Sequence, residues 1–71
     1  MPRPPRQLSP REYEVVRRFA LGQAWEVIMA DLGIGRATVH QHRVNALQNY
    51  GVSTMCELWI ELGWLRVPGG P

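Results

Sequence analysis

A single cysteine, no lysine, and no apolar run approaching the roughly 18 residues of a membrane span set the first limits on this 71-residue chain. One thiol excludes an internal disulfide framework and the paired cysteines of a zinc knuckle, so no metal or other cofactor is expected. That residue, Cys56, stands at the start of a helical segment with no basic neighbour in sequence. It reads as a small buried side chain rather than a nucleophile. The basic start Met1-Pro2-Arg3-Pro4-Pro5-Arg6 has no apolar segment behind it, which excludes a secretory signal. No membrane partner is expected, and the cytoplasm is the expected compartment.

Excess charge of one sign is scarce as well. Eight arginines against six acids leave +2, and Arg3 and Arg6 lie before the first helix, so residues 7–71 are formally neutral. A pI near 9.3 therefore overstates how basic the folded body is. Counterion release scales with the number of phosphates neutralised, so a nucleic-acid reading has to rest on a motif and not on bulk charge. A hydrophobic fraction of 45% with 20% charged residues is that of a folded chain, and the length bounds it to one small domain.

The organisation read along the chain is a Pro/Arg-rich arm over 1–7, an all-α domain over 8–65 and a Pro/Gly tail over 66–71. Three prolines favour an extended, solvated tail, with contacts of Arg3 and Arg6 to DNA phosphate or the minor groove as the alternative reading. Helix 1, over about 10–21, opens with Ser9 as N-cap, Pro10 in the first helical position and Glu12 completing a capping box. Leu8 and Tyr13 are spaced for a hydrophobic staple. Val15, Val16, Phe19 and Ala20 are expected inside, Arg17 and Arg18 as solvated charges, and Gly22 as the stop. Helix 2, over about 25–32, is expected to bury Val27, Ile28 and Leu32. Trp25 at its start reads as a packing residue over the end of helix 1, with a stacking role as the alternative.

Helix 3, over about 36–50, follows Gly33-Ile34-Gly35, with Ile34 plugging the core between the two helices. At about 100° per residue, Val39, Ala46, Leu47 and Tyr50 share one side. Ala37, His40, Gln41, Val44, Asn45 and Gln48 share the other. Their amides, imidazole and methyl groups can read base edges. Two helices joined by a three- or four-residue glycine turn form the helix-turn-helix pattern. Helix 4, over about 55–62, has Thr54 as N-cap and Glu57 as reciprocal acid. It carries more apolar groups than one face needs, which makes Trp59, Ile60, Leu62 and Trp64 candidates for a homodimer interface.

Leu8-Ser9-Pro10-Arg11-Glu12, Glu14-Val15-Val16, Gly22, Ile28, Leu32-Gly33-Ile34, Thr38-Val39, His42-Arg43, Gly51-Val52 and Glu57-Leu58 occur in one ungapped order. That order resembles the LuxR-type helix-turn-helix DNA-binding domain, over about three quarters of the chain. The resemblance implies an all-α, four-helix domain of a bacterial or phage transcription regulator, with helix 3 in the major groove of double-stranded DNA and helix 4 as the dimerisation element. Carried over by position, it puts His40, Gln41 and Val44 at the bases with Asn45 and Gln48 at the edge, and Arg36, Thr38 and Arg43 near phosphates. The receiver or ligand-sensing domain common in the family is not in this chain, which reads as a stand-alone regulator or a fragment. Several positions depart from the family pattern. Glu26, His40 and Gln48 or Asn49 stand where basic residues are usual, Gly35 where a hydroxyl N-cap is usual, Met29 for alanine and Tyr50 for leucine.

Two functions compete on these grounds. One is sequence-specific DNA binding as a transcription regulator; the other is a protein-interaction module on the same scaffold, contacting a sigma factor, RNA polymerase or another regulator. No enzyme is expected: His40 and His42, two apart on a helix, point in different directions and cannot hold a metal together.

Overall fold

The computed structural model describes residues 7–66. Four helices follow one another: α1 (Pro10–Ala20), α2 (Trp25–Leu32), α3 (Arg36–Tyr50) and α4 (Met55–Glu61). Among the described residues there is no strand, and no helix is long and apolar enough to cross a membrane. The fold is all-α, as the periodicity predicts. The expectations for Arg3, Arg6 and the last five residues lie outside the described residues.

Local sequence accounts for most helix ends. Ser9 has extended backbone, its Oγ accepts from the Glu12 N–H at 3.2 Å, and Glu12 Oε1 accepts from the Ser9 N–H at 3.2 Å. This reciprocal pair satisfies two of the backbone donors that a helix start leaves open. Helix α1 ends one residue earlier than expected, and Gly22 turns the chain with φ +79°. Helix α4 likewise ends at Glu61 and not at residue 62. The Thr54 hydroxyl accepts from the Glu57 N–H at 3.1 Å, but the Glu57 carboxylate reaches past the cap to the Ser53 N–H at 3.0 Å. The reciprocal half of that cap is therefore shifted by one residue from the expected box.

Two clusters make the core. Val16, Ala46, Leu47, Met55 and Leu58 join α1, α3 and α4, while Val15, Ile28 and Val39 join α1, α2 and α3. Phe19 packs against both, so a single ring ties the two halves together. Ile34 packs into the second cluster, as expected of a plug in the turn. Trp59 packs on the first and donates its indole N–H to the Val16 carbonyl at 3.3 Å.

The structure corrects several expectations of burial. Ala20, Val27 and Cys56 are exposed. For two of them the reason is angular: Val27 lies about 200° around α2 from Trp25, and Cys56 about 100° around α4 from Met55, off the faces that pack, while Ala20 is the last residue of α1. The position that shares the inner face of α1 with Val15, Val16 and Phe19 is Glu12, only 3% exposed. Its carboxylate is satisfied there, accepting from Asn49 Nδ2 on α3 at 3.4 Å as well as from the Ser9 cap. Tyr13 is exposed and sets its ring edge-on to Trp64, 5.6 Å away.

Arg18 is likewise not a solvated charge. Its Nη1 donates to Asp31 Oδ2 at 2.7 Å and to Gln23 Oε1 at 3.2 Å, and its Nε lies 3.4 Å from Glu14 Oε2. The side chain clamps α1 to the end of α2. Asp31 is half exposed, so the pair contributes more to orientation than to net stability.

The buried Glu12 gives a direct test. Glu12→Ala removes a helix cap and leaves the Asn49 amide without that acceptor, an expected loss of about 1–3 kcal/mol. Arg17→Ala, on the exposed side of α1, is expected to stay within about 0.5 kcal/mol. Urea unfolding followed by circular dichroism measures both. Equal midpoints for the two variants would remove the structural role assigned to Glu12.

Candidate nucleic-acid interface

Helix α3 is oriented by what it buries. Val39 and Ala46 are fully buried, Leu47 nearly so, and Tyr50 packs at the edge of the first cluster. That fixes the rotation of α3 about its axis and turns Ala37, His40, Gln41 and Gln48 to solvent, with Val44 and Asn45 half-buried among them. Thr38, in the first turn, is also exposed.

The turn that delivers this helix is short and well defined. Gly33 adopts φ +66° and ψ +34°, a left-handed conformation that glycine reaches without steric cost, and it closes α2. Ile34 donates its N–H back to the Met29 carbonyl at 3.1 Å while its side chain enters the core. Gly35 then takes up extended backbone as the N-cap of α3, with no side-chain acceptor for the open N–H groups of the first turn. The three residues thus change the chain direction and leave the first-turn N–H groups of α3 without a side-chain cap.

Within α3 the candidate residues divide into two stripes. Gln41 and Asn45, one turn apart, are hydrogen-bonded to each other, Gln41 Nε2 donating to Asn45 Oδ1 at 2.9 Å. With Ala37, Val44 and Gln48 they form a mostly uncharged outer stripe. Arg36, His40 and Arg43 follow one another at i, i+4 and i+7 along the flank that meets the start of α2. There they line, with Trp25 and Ala37, an open groove of about 650 Å³.

Trp25 is the residue that the helical pattern alone undervalued. Its indole is half-buried and sits edge-on to Phe19 at 5.2 Å, covering the end of α1 as one reading expected. The same indole lies nearly parallel to the His40 ring at 6.4 Å, and the Arg36 guanidinium carbon is 4.5 Å from its ring centroid. The signal in the sequence is an aromatic residue directly at a helix start, eight residues ahead of the Gly33 turn.

The candidates on α4 also separate. Trp59 is turned inward on α1, and Leu62 packs on the first cluster. Ile60 and Trp64 are 39% and 40% exposed, next to the exposed Leu65. Surplus apolar surface is therefore present at this end of the domain, carried by Ile60, Trp64 and Leu65 and not by Trp59.

Comparison with known proteins follows this geometry. Residues 6–61 match the family described as bacterial regulatory proteins, luxR family. The chain is 45% identical over 51 residues to the transcriptional regulatory protein UhpA of Salmonella typhimurium (strain LT2), and 43% identical over 51 residues to that of Escherichia coli (strain K12). The aligned part is 72% of this chain and 26% of either relative, so the chain spans about a quarter of their length. No solved structure gives a significant match.

The uncapped start of α3 yields a prediction. A Cβ on Gly35 meets nothing within 4 Å, and its backbone is one that any residue can adopt. Gly35→Ser supplies an acceptor to the first-turn N–H groups and restricts the unfolded chain, for an expected gain of about 0.5–1 kcal/mol. A thermal melt at or below that of the parent would show that the α3 start is already satisfied.

Proposed function

The chain belongs to the luxR family of bacterial regulatory proteins, and from that premise we propose that it binds double-stranded DNA sequence-specifically as a transcription regulator. One observation carries the reading. The buried edge of α3 leaves an outer stripe and a flank that carry amides, methyl groups and the His40 imidazole, exposed or half-buried, after a three-residue turn from α2. A helix of this width fits the major groove of B-form DNA, and its outer residues match the donor and acceptor patterns of base edges. Gln41 and Asn45, already joined to each other, are suited to adenine N6 and N7. His40 can donate to guanine, Ala37 or Val44 can meet a thymine methyl, and Gln48 reads at the edge.

Phosphate contacts fall to Arg36, Thr38, Arg43 and the open N–H groups at the start of α3. These are few, because residues 24–51 hold two arginines against Glu26 and Asp31. Affinity then rests on further sources. Arg3 and Arg6 in the arm are one; a second subunit, docked through Ile60 and Trp64 with Leu62 and Trp59 supporting them, is the other. Two copies on two half-sites double the phosphate anchors without any change in the recognition helix.

The same charge neutrality favours a second reading, a protein-interaction module contacting RNA polymerase, a sigma factor or another regulator. A selection of bound sequences from random DNA at two salt concentrations separates the two. Enrichment of one motif, weakened by salt, is the expected outcome; no enrichment at low salt would favour the interaction module. On the selected site, Gln41→Ala and His40→Ala are each expected to cost about 1–3 kcal/mol of binding, and full retention of affinity and selectivity by both would sink the base-reading assignment. For the dimer, Ile60→Glu is expected to lower the mass measured by light scattering, since it puts a charge on exposed apolar surface without touching the core. A parent protein that is monomeric at the same concentration would remove the interface.

A further inference from the structure

The groove beside the outer stripe carries an assignment that periodicity and family pattern do not make. We propose that Trp25 is a positioning residue for DNA recognition: its indole holds Arg36 and His40 in place before DNA arrives. The proposal rests on the reading of α3 as the DNA-contacting helix and extends it to a side chain on α2.

The support runs from the core outward. Phe19 belongs to both core clusters, and Trp25 sets its ring edge-on against Phe19 at 5.2 Å. The indole plane is thus anchored to a ring that packs on both core clusters. Upon that plane lie two side chains of α3, one turn apart. The His40 ring is 6.4 Å away at an interplanar angle of 25°, and the Arg36 guanidinium is 4.5 Å from the ring centroid. A planar guanidinium stacks on an indole in a way that an ammonium does not. An exposed arginine otherwise samples many rotamers and has to be ordered on binding. Ordering one such side chain weakens association by about two- to tenfold, and holding it beforehand recovers part of that factor.

This matters more here than in a strongly basic domain. Between residues 24 and 51 the only arginines are Arg36 and Arg43, and both line the groove floored by Trp25. With so few anchors, their pre-organisation replaces number. Trp25 also separates the two sides of the interface: Gln41 and Asn45 fix each other on the outer stripe, while Arg36 and His40 are fixed by the indole on the flank.

The test uses the full chain and the DNA site selected from random sequence. Arg36→Lys keeps the charge and removes the stack; it is expected to weaken binding two- to fivefold with an unchanged salt slope, because the number of phosphates neutralised is the same. Trp25→Leu keeps apolar volume against Phe19 and is expected to weaken binding three- to tenfold, with most of the affinity restored in Trp25→Phe. In a protein already carrying Arg36→Ala and His40→Ala, Trp25→Leu is expected to change affinity less than 1.5-fold. The His40 ring proton resonances of the free protein are expected to shift on Trp25→Leu, as the indole ring current is lost. Arg36→Lys at full affinity overturns the proposal, even should Trp25→Leu fail to fold. So does an equal Trp25→Leu loss in both backgrounds. If the parent chain binds no DNA at low salt, the reading of α3 itself fails, and that is seen on the parent before any variant is made.

Discussion

The burial of one edge of α3 against α1 is the constraint from which the rest of this small domain follows. Val39 meets Val15 and Ile28 in one cluster, Ala46 and Leu47 meet Val16 and Leu58 in the other, and Phe19 belongs to both. Close-packed interiors tolerate little rotation, so α3 cannot turn about its axis without opening a cavity. Its outer stripe is consequently held in one orientation. The base-reading role proposed for this stripe, whose side chains are no longer than glutamine, needs that rigidity, since a short side chain cannot compensate for a misplaced backbone.

Electrostatics decide less here than in a strongly basic domain, and geometry decides more. Arg18, which composition alone would count toward a positive surface, is spent on Asp31, Gln23 and Glu14 in joining α1 to α2. Glu12 and Asn49 do the same between the starts and ends of α1 and α3. The polar groups that fix the frame are therefore engaged within the domain, which leaves Arg36 and Arg43 on the α3 flank and the exposed Glu26 on α2 as the remaining charges of the α2–α3 surface. The chain belongs to the luxR family, and the DNA contact proposed for it rests on the arrangement of α2 and α3.

The fourth helix shows how an apolar count can mislead. Met55, Leu58, Trp59 and Leu62 are all used within the chain, the tryptophan by a hydrogen bond to α1 as well as by packing. The surplus is confined to Ile60 and the residues just past the helix end, Trp64 and Leu65.

What the sequence by itself determined is what local interactions control. Ser9 with Glu12, Thr54 with Glu57 and glycines at 22, 33 and 51 mark helix ends because each acts within four residues of its partner, and the spacing of Val39, Ala46 and Leu47 marks the inner edge of α3. Four helices, the turn and the outer stripe were legible for that reason. The tertiary structure alone decided the contacts between residues far apart in the chain: Glu12 with Asn49, Arg18 with Asp31, Trp59 with Val16, and Trp25 with Arg36 and His40. Arginine and tryptophan side chains are long enough to reach several neighbours, so periodicity names the face they start from but not the partner they find. Only the packing of α1, α2 and α3 on one another brought the Trp25 indole over the start of α3, and with it the groove beside the outer stripe.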